Sequence, residues 1–149
     1  MKRIFDLMVS GLGLVSLSPL LLILAALVKL NDGGPVFYKQ ERIGWHGQPF
    51  RIWKFRSMRV TADKVGLSIT QSGDPRITRI GKLLRKTKLD ELPQLINVFV
   101  GEMSLVGPRP EVEKYVVLYT SALKKVLELK PGITDVASIE FRDEEQLLL

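Results

Sequence analysis

The sequence predicts a mixed α/β fold, mostly α with a short β-hairpin, carried on an N-terminal helix–break–helix. Three observations support this. Leu7 to Val28 contains no charged residue and has Ser18-Pro19 near its middle. Two stretches rich in β-formers, Val36 to Ile43 and Phe50 to Met58, flank a turn around Gly44 and Gly47. Apolar residues then recur at helical spacing on both sides of Asp90. At 149 residues the chain is one domain by length and can bury a core.

The apolar run comes first. About 22 residues at about 1.5 Å each would just cross a bilayer core, and such a run belongs in membrane. A cleaved signal peptide fits poorly, because no small-residue cleavage site and polar mature start follow it. Pro19 removes one helix hydrogen bond and clashes with the preceding turn, so a kink is expected there. Each arm is then too short to cross alone. Lys2 and Arg3 precede the run and Lys29 follows it, so charge bias gives no clear orientation. A kinked span and a hairpin returning both ends to one face are equally compatible with these residues. Ser16 and Ser18 can satisfy backbone groups freed at the bend.

Asn31-Asp32-Gly33-Gly34-Pro35 is a turn cluster, which divides a membrane segment, 1–30, from a body, 31–149. In the second strand Arg51, Lys54 and Arg56, with Arg59 just after, interleave with Phe50, Trp53 and Phe55. That mixture suits a lipid interface, single-stranded nucleic acid or a half-exposed strand with solvated cations. Thr61 to Gly73 lacks periodicity and reads as a loop. Asp74, Arg76 and Arg79 then lead into a helix marked by Ile80, Leu83 and Leu84.

Leu92, Leu95, Ile96 and Phe99 mark a second helix, and Pro93 suits its first turn, so two helices meet near Asp90. Asp90 or Glu91 is expected to cap that second helix. The alternative is that the acids serve as a nucleophile or metal carboxylate among cations. Pro108 and Pro110 hold Arg109 on a stiff loop, ready for bidentate phosphate contact or simply solvated. Glu111 to Leu129 predicts one amphipathic helix, for core packing or a membrane surface, stopped by Pro131-Gly132. The closing FRDEEQLLL carries no stop signal, and an early end is expected.

Composition excludes several chemistries. With no cysteine there is no disulfide framework, thiolate zinc site or cysteine nucleophile. The only histidine, His46, falls in the glycine turn, which argues against a Ser–His triad. Carboxylates, lysines and hydroxyls must do any acid–base or nucleophilic work. Residues 1–100 hold 16 Lys/Arg against 7 Asp/Glu, a net of +9, whereas residues 101–149 hold 6 against 9, a net of −3. The basic front section points to anionic partners.

In order and spacing, KRIFD, the Ser18-Pro19 break, GGPVFYKQERIG, KFRSM, DPRITRIGKLLRKTKLDELPQLINV, GEMSLVGPRPE and KPGIT resemble the small monotopic phosphoglycosyl transferases. This bacterial sugar transferase family starts polysaccharide and glycoconjugate assembly. The resemblance implies a re-entrant membrane helix broken at Ser18 and Pro19, and a small membrane-surface catalytic domain. It places that domain on the cytosolic face of the bacterial inner membrane. It implies transfer of a sugar 1-phosphate from a UDP-sugar to undecaprenyl phosphate, with release of UMP and with no nucleic acid partner. Asp90 matches the nucleophile and Glu91 its dyad partner, with Mg²⁺ held by Glu91 and Asp90.

On that footing Arg85, then Arg109, then Arg76 and Arg79 are the expected phosphate clamps. Lys54 and Arg56 are expected at the lipid interface or acceptor phosphate. The chemistry agrees with the residues: a carboxylate can form an acyl phosphate, and an ionised phosphate acceptor needs no strong base. A membrane-anchored basic module without catalysis, a non-catalytic lipid-binding subunit, and a nucleotide-sugar hydrolase are the competing readings.

Overall fold

The computed structural model describes residues 1–60 and 74–135, so the expected loop Thr61 to Gly73 and the FRDEEQLLL end lie outside the described residues. Helices α1 (Lys2–Ser16) and α2 (Ser18–Asp32) are bent by 62° where they meet at Leu17. Pro19 occupies the first turn of α2, where its missing N–H costs nothing. Ser18 Oγ donates to Val15 O at 2.7 Å and Ser16 Oγ to Gly13 O at 3.3 Å, so both hydroxyls serve carbonyls at the break. Neither helix alone is long and apolar enough to cross a membrane, whereas the bent pair together has that composition. Met8, Leu12, Val15, Leu22 and Leu30 are all more than half exposed along it.

Both ends of this helix pair are fastened to the same body. At the start, Arg3 donates to Val98 O at 2.6 Å and Phe99 O at 2.8 Å. At the end, Gly33 turns left-handed (φ 71°) to stop α2, and Asp32 forms an ion pair with Arg56. Gly11 lets α1 lie close to the body, since a Cβ there would sit 3.1 Å from the Phe99 ring.

Strands β1 (Phe37–Ile43) and β2 (Pro49–Phe55) form the expected antiparallel hairpin, with Gln40 opposite Ile52. Its connection is a single 3₁₀ turn, Trp45–Gly47, in which the His46 ring stacks on Trp45. β2 ends three residues before the expected Met58, because the chain turns there to meet α3 (Arg79–Thr87). Ser57 O accepts from Thr78 N at 3.0 Å. Thr78 caps α3 by accepting from Gly81 N at 2.9 Å.

After α3, Lys88 takes a left-handed conformation (φ 57°), and Leu89–Glu91 form a 3₁₀ turn. Helix α4 (Gln94–Val100) follows with Pro93 at its N-cap. The two helices therefore meet around Asp90 as expected, but the expected capping role of the acids is not found. No side chain caps α4, because the extra 3₁₀ turn carries Asp90 and Glu91 away from its first N–H groups.

Two apolar clusters hold these parts. In one, Leu24 and Val28 of α2 pack with Phe55 of β2 and Leu84 of α3, with Leu89 and Leu92 against them. In the other, Ile52 of β2 meets Val98 of α4 and Met103. Asn97, fully buried, joins α4 to β2: its Oδ1 accepts from Trp53 N at 3.0 Å and its Nδ2 donates to Arg51 O at 2.9 Å. A second donation reaches Glu102 at 2.7 Å.

A small parallel pair, β3 (Ser104–Val106) with β4 (Gly132–Thr134), was not foreseen from sequence. Gly107 and Gly132 face each other across it, with no room for a Cβ on either. The single helix expected over Glu111 to Leu129 is likewise replaced by α5 (Glu113–Val116), α6 (Ser121–Lys124) and a 3₁₀ turn at Lys125–Glu128. Thr120 breaks it by leaving helical conformation (ψ 164°) and capping α6, a use of threonine that competes with helix interiors.

Replacing Asn97 with alanine removes three part-buried hydrogen bonds, with Trp53 N, Arg51 O and Glu102. It is expected to cost about 3 kcal/mol of stability, measured as a lowered thermal midpoint in detergent. An unchanged midpoint would show that the contact carries no stability.

Candidate active site

Three chain segments converge on Asp90 and Glu91. The left-handed Lys88 turns the chain at the end of α3, and the 3₁₀ turn presents both acids between α3, α4 and β2. Strand β2 brings Lys54, whose Nζ lies 2.7 Å from Glu91 Oε1. The loop after β3 brings Arg109, whose Nη2 lies 3.2 Å from the same oxygen. The backbone N–H of Arg109 donates to Asp135 at 3.3 Å, which steadies the loop.

The two acids are treated differently. Asp90 is 8% exposed, and its Oδ1 is buried with no hydrogen-bond partner among the described residues. Burial pushes its carboxyl above the ordinary aspartate value, Lys54 and Arg85 pull the other way, and Glu91 adds to the rise. For Glu91 burial also raises, but Lys54 and Arg109, with help from Lys88, hold the carboxyl below its ordinary value. Glu91 is the standing charge of the pair and Asp90 its poised member.

The expected phosphate clamps separate. Arg85 lies where its charge acts on both Asp90 and Asp74. Arg109 reaches the dyad directly. Arg76 instead forks onto its own Asp74, at 2.6 to 3.0 Å, and holds that carboxyl down at about 2. Arg79 lines a different cavity of about 630 Å³ with Arg59, Lys82, Asn31 and Asp32, which none of the dyad residues lines.

Of the two cations expected at the lipid interface or acceptor phosphate, Lys54 is turned onto Glu91. Arg56 is 6% exposed and paired with Asp32 beneath Gly34, because the end of α2 brings a carboxylate over it. Ser18 and Pro19 sit at the helix break, far along the chain from the dyad. Sequence reasoning missed the contacts of Asp6 with Ser104 and Leu105, of Lys2 and Arg3 with the body, and of Asn97 with β2. Asp6 left one signal: it is the last charge before the apolar run.

Among the described residues no three His, Cys, Asp or Glu side chains gather as a metal cage. The dyad nonetheless fits Mg²⁺. Two adjacent carboxylates, one with an orphaned oxygen and the other holding both cations on Oε1 alone, are what a cation completed by substrate phosphates requires.

A buried carboxylate beside one held by Lys54 and Arg109, with the charge of Arg85 acting on the first, suits anionic ligands. The pattern of the bacterial sugar transferases matches residues 1–148, and the chain belongs to that family and is a transferase. It is 46% identical to the UDP-glucose:undecaprenyl-phosphate glucose-1-phosphate transferase of Escherichia coli, over 93% of this chain and 31% of that protein. The Klebsiella pneumoniae protein of the same name is 44% identical over 93% of this chain and 30% of its own length. The exopolysaccharide production protein ExoY of Sinorhizobium fredii is 44% identical over 96% of this chain and 70% of that protein.

The Asp90 carboxyl carbon, followed by NMR against pH, is expected to titrate above 3.8. In Lys54→Met it should titrate higher still, since the strongest opposing cation is gone. A midpoint that stays put or falls would contradict this account.

Proposed function

We propose that the chain transfers a sugar 1-phosphate from a UDP-sugar to undecaprenyl phosphate through a covalent intermediate on Asp90. The observation that carries this is the buried, orphaned oxygen of Asp90 beside a Glu91 fixed by Lys54 and Arg109. The names of the Escherichia coli and Klebsiella pneumoniae relatives support the donor and acceptor classes.

Asp90, ionised, attacks the β-phosphorus of the donor. A carboxylate–phosphorus bond forms, the bond to the oxygen bridging the two phosphates breaks, and UMP leaves with the electron pair. An oxygen of the lipid phosphate then attacks the same phosphorus and releases the Asp90 carboxylate, leaving a polyprenyl diphosphosugar. No proton need be taken from the acceptor, in keeping with a site that contains no histidine. Splitting one displacement into two lets a single pocket handle two anionic substrates in turn.

Arg109 meets the departing UMP phosphate and Arg85 the phosphoryl group in transit. Lys54 holds Glu91 in place. Asp90 and Glu91 would hold Mg²⁺, which when bound screens the diphosphate against an incoming carboxylate.

The helix pair is a re-entrant anchor on the cytosolic face of the bacterial inner membrane, with the catalytic body starting near Asn31. The exposed apolar side chains of α1 and α2, and the attachment of both helix ends to one body, support that reading. A shallow anchor keeps Asp90 at the height of the lipid phosphate.

UMP release from a panel of UDP-sugars with Mg²⁺, with and without undecaprenyl phosphate, tests the reaction. Sustained release is expected only with the lipid and one donor class, and without lipid release stops at about one UMP per chain. Asp90→Asn should lose at least about a thousandfold in rate. Turnover surviving that substitution would exclude the covalent route, and repeated turnover without lipid, beyond a first UMP per chain, would make the chain a hydrolase.

A further inference from the structure

We propose that Asp6, in the first helix, is a positioning residue for Arg109, acting through strand β3. The proposal rests on the transferase reading above. Asp6 is 3% exposed, and its carboxylate is turned away from the apolar face of α1 into the body. Its Oδ2 accepts from Ser104 Oγ at 2.8 Å and its Oδ1 from Leu105 N at 3.2 Å. Lys2 Nζ, one turn earlier, donates to Val106 O at 2.9 Å. Each residue of β3 thus takes one contact from the start of α1.

That strand is three residues long and pairs with β4 at two register positions, Ser104 with Gly132 and Val106 with Thr134, while Leu105 packs against the cluster of Ile52, Val98 and Met103. The contacts from α1 are what tie it to the anchor helix. Its C-terminal end runs through Gly107 and Pro108 to Arg109. Pro108 removes freedom between strand and arginine, so an error in the strand passes to the guanidinium. Arg109 is 43% exposed in its side chain, and its hold on Glu91 at 3.2 Å depends on where the loop begins.

A buried carboxylate is a costly way to fill space, and two well-placed donors are what make it tolerable here. An apolar residue of the same size could pack against α4 but could not set the register of β3. The placement of Asp6 links the anchor helix to the group that meets the leaving phosphate.

A merely structural Asp6 would weaken every variant alike, whereas a positioning Asp6 works only through Arg109. A double-mutant cycle separates these, using the full chain in lipid nanodiscs. Asp6→Ala is expected to lower kcat/KM for the UDP-sugar about tenfold with Arg109 present, and by less than about twofold in the Arg109→Ala background. Asp6→Asn should recover most of the loss, because its amide oxygen can still accept from Leu105 N. Equal losses in both backgrounds would overturn the proposal.

Should Asp6→Ala not fold, Ser104→Ala passes through the same cycle and decides in the same way. The side-chain N–H signal of Arg109 in an NMR spectrum supplies a readout free of turnover, since its guanidinium is held on Glu91. In Asp6→Ala it should shift toward the position it takes in Glu91→Gln, and an unmoved signal would overturn the proposal. If wild type releases no UMP, the transferase reading has failed, and this signal alone decides the role of Asp6.

Discussion

Two neighbouring carboxylates cannot both be removed from water and stay ionised unless cations come with them. The contact of Lys54 with Glu91 is the constraint from which the rest of this structure follows. It joins the second strand to a turn some 37 residues later in the chain, and Arg109 completes it from a third segment. The cations bear most directly on Glu91, so Asp90 is left with a dry, unpartnered oxygen and a carboxyl pushed upward by burial. A fold that delivers three segments to one point needs more than one cluster of apolar side chains, and here there are two. One sets the turn against α2 and β2, the other sets α4 against β2 and Met103.

Much of this was written in local patterns. Stretches rich in β-formers and the glycines between them located the hairpin, helical spacing located α3 and α4, and Ser18-Pro19 located the break. Each depends on residues close in sequence, which is what such patterns encode. The 3₁₀ turn at Asp90 was not legible, since a left-handed Lys88 has no sequence signature and only the pull of Lys54 and Arg109 accounts for where the acids point. The amphipathic stretch after Glu111 had a helical period, yet Thr120 found a better use as a cap. The β3–β4 pair was invisible because its two strands are three residues each, too short for any period to register.

Charge was legible as a total and not as a set of roles. Of the cations gathered in the first hundred residues, Arg76 is taken by Asp74, Arg56 by Asp32 and Lys54 by Glu91, and Arg79 faces another cavity. Only contacts between distant segments separate a phosphate clamp from a buried structural partner. The same holds for Asp6, which reads as the ragged start of a hydrophobic run until β3 is seen beside it.

Asn97 has a consequence of another kind. A two-stranded ribbon has an outer edge whose unpaired peptide groups invite any passing strand to join. On β2 that edge is met by one amide side chain, which accepts from the Trp53 N–H and donates to the Arg51 carbonyl on either side of Ile52. Those are the two bonds that a residue of a parallel strand would make there. A helix thereby supplies a one-residue imitation of a third strand, and at that point the ribbon is closed to growth and to pairing with another copy of itself.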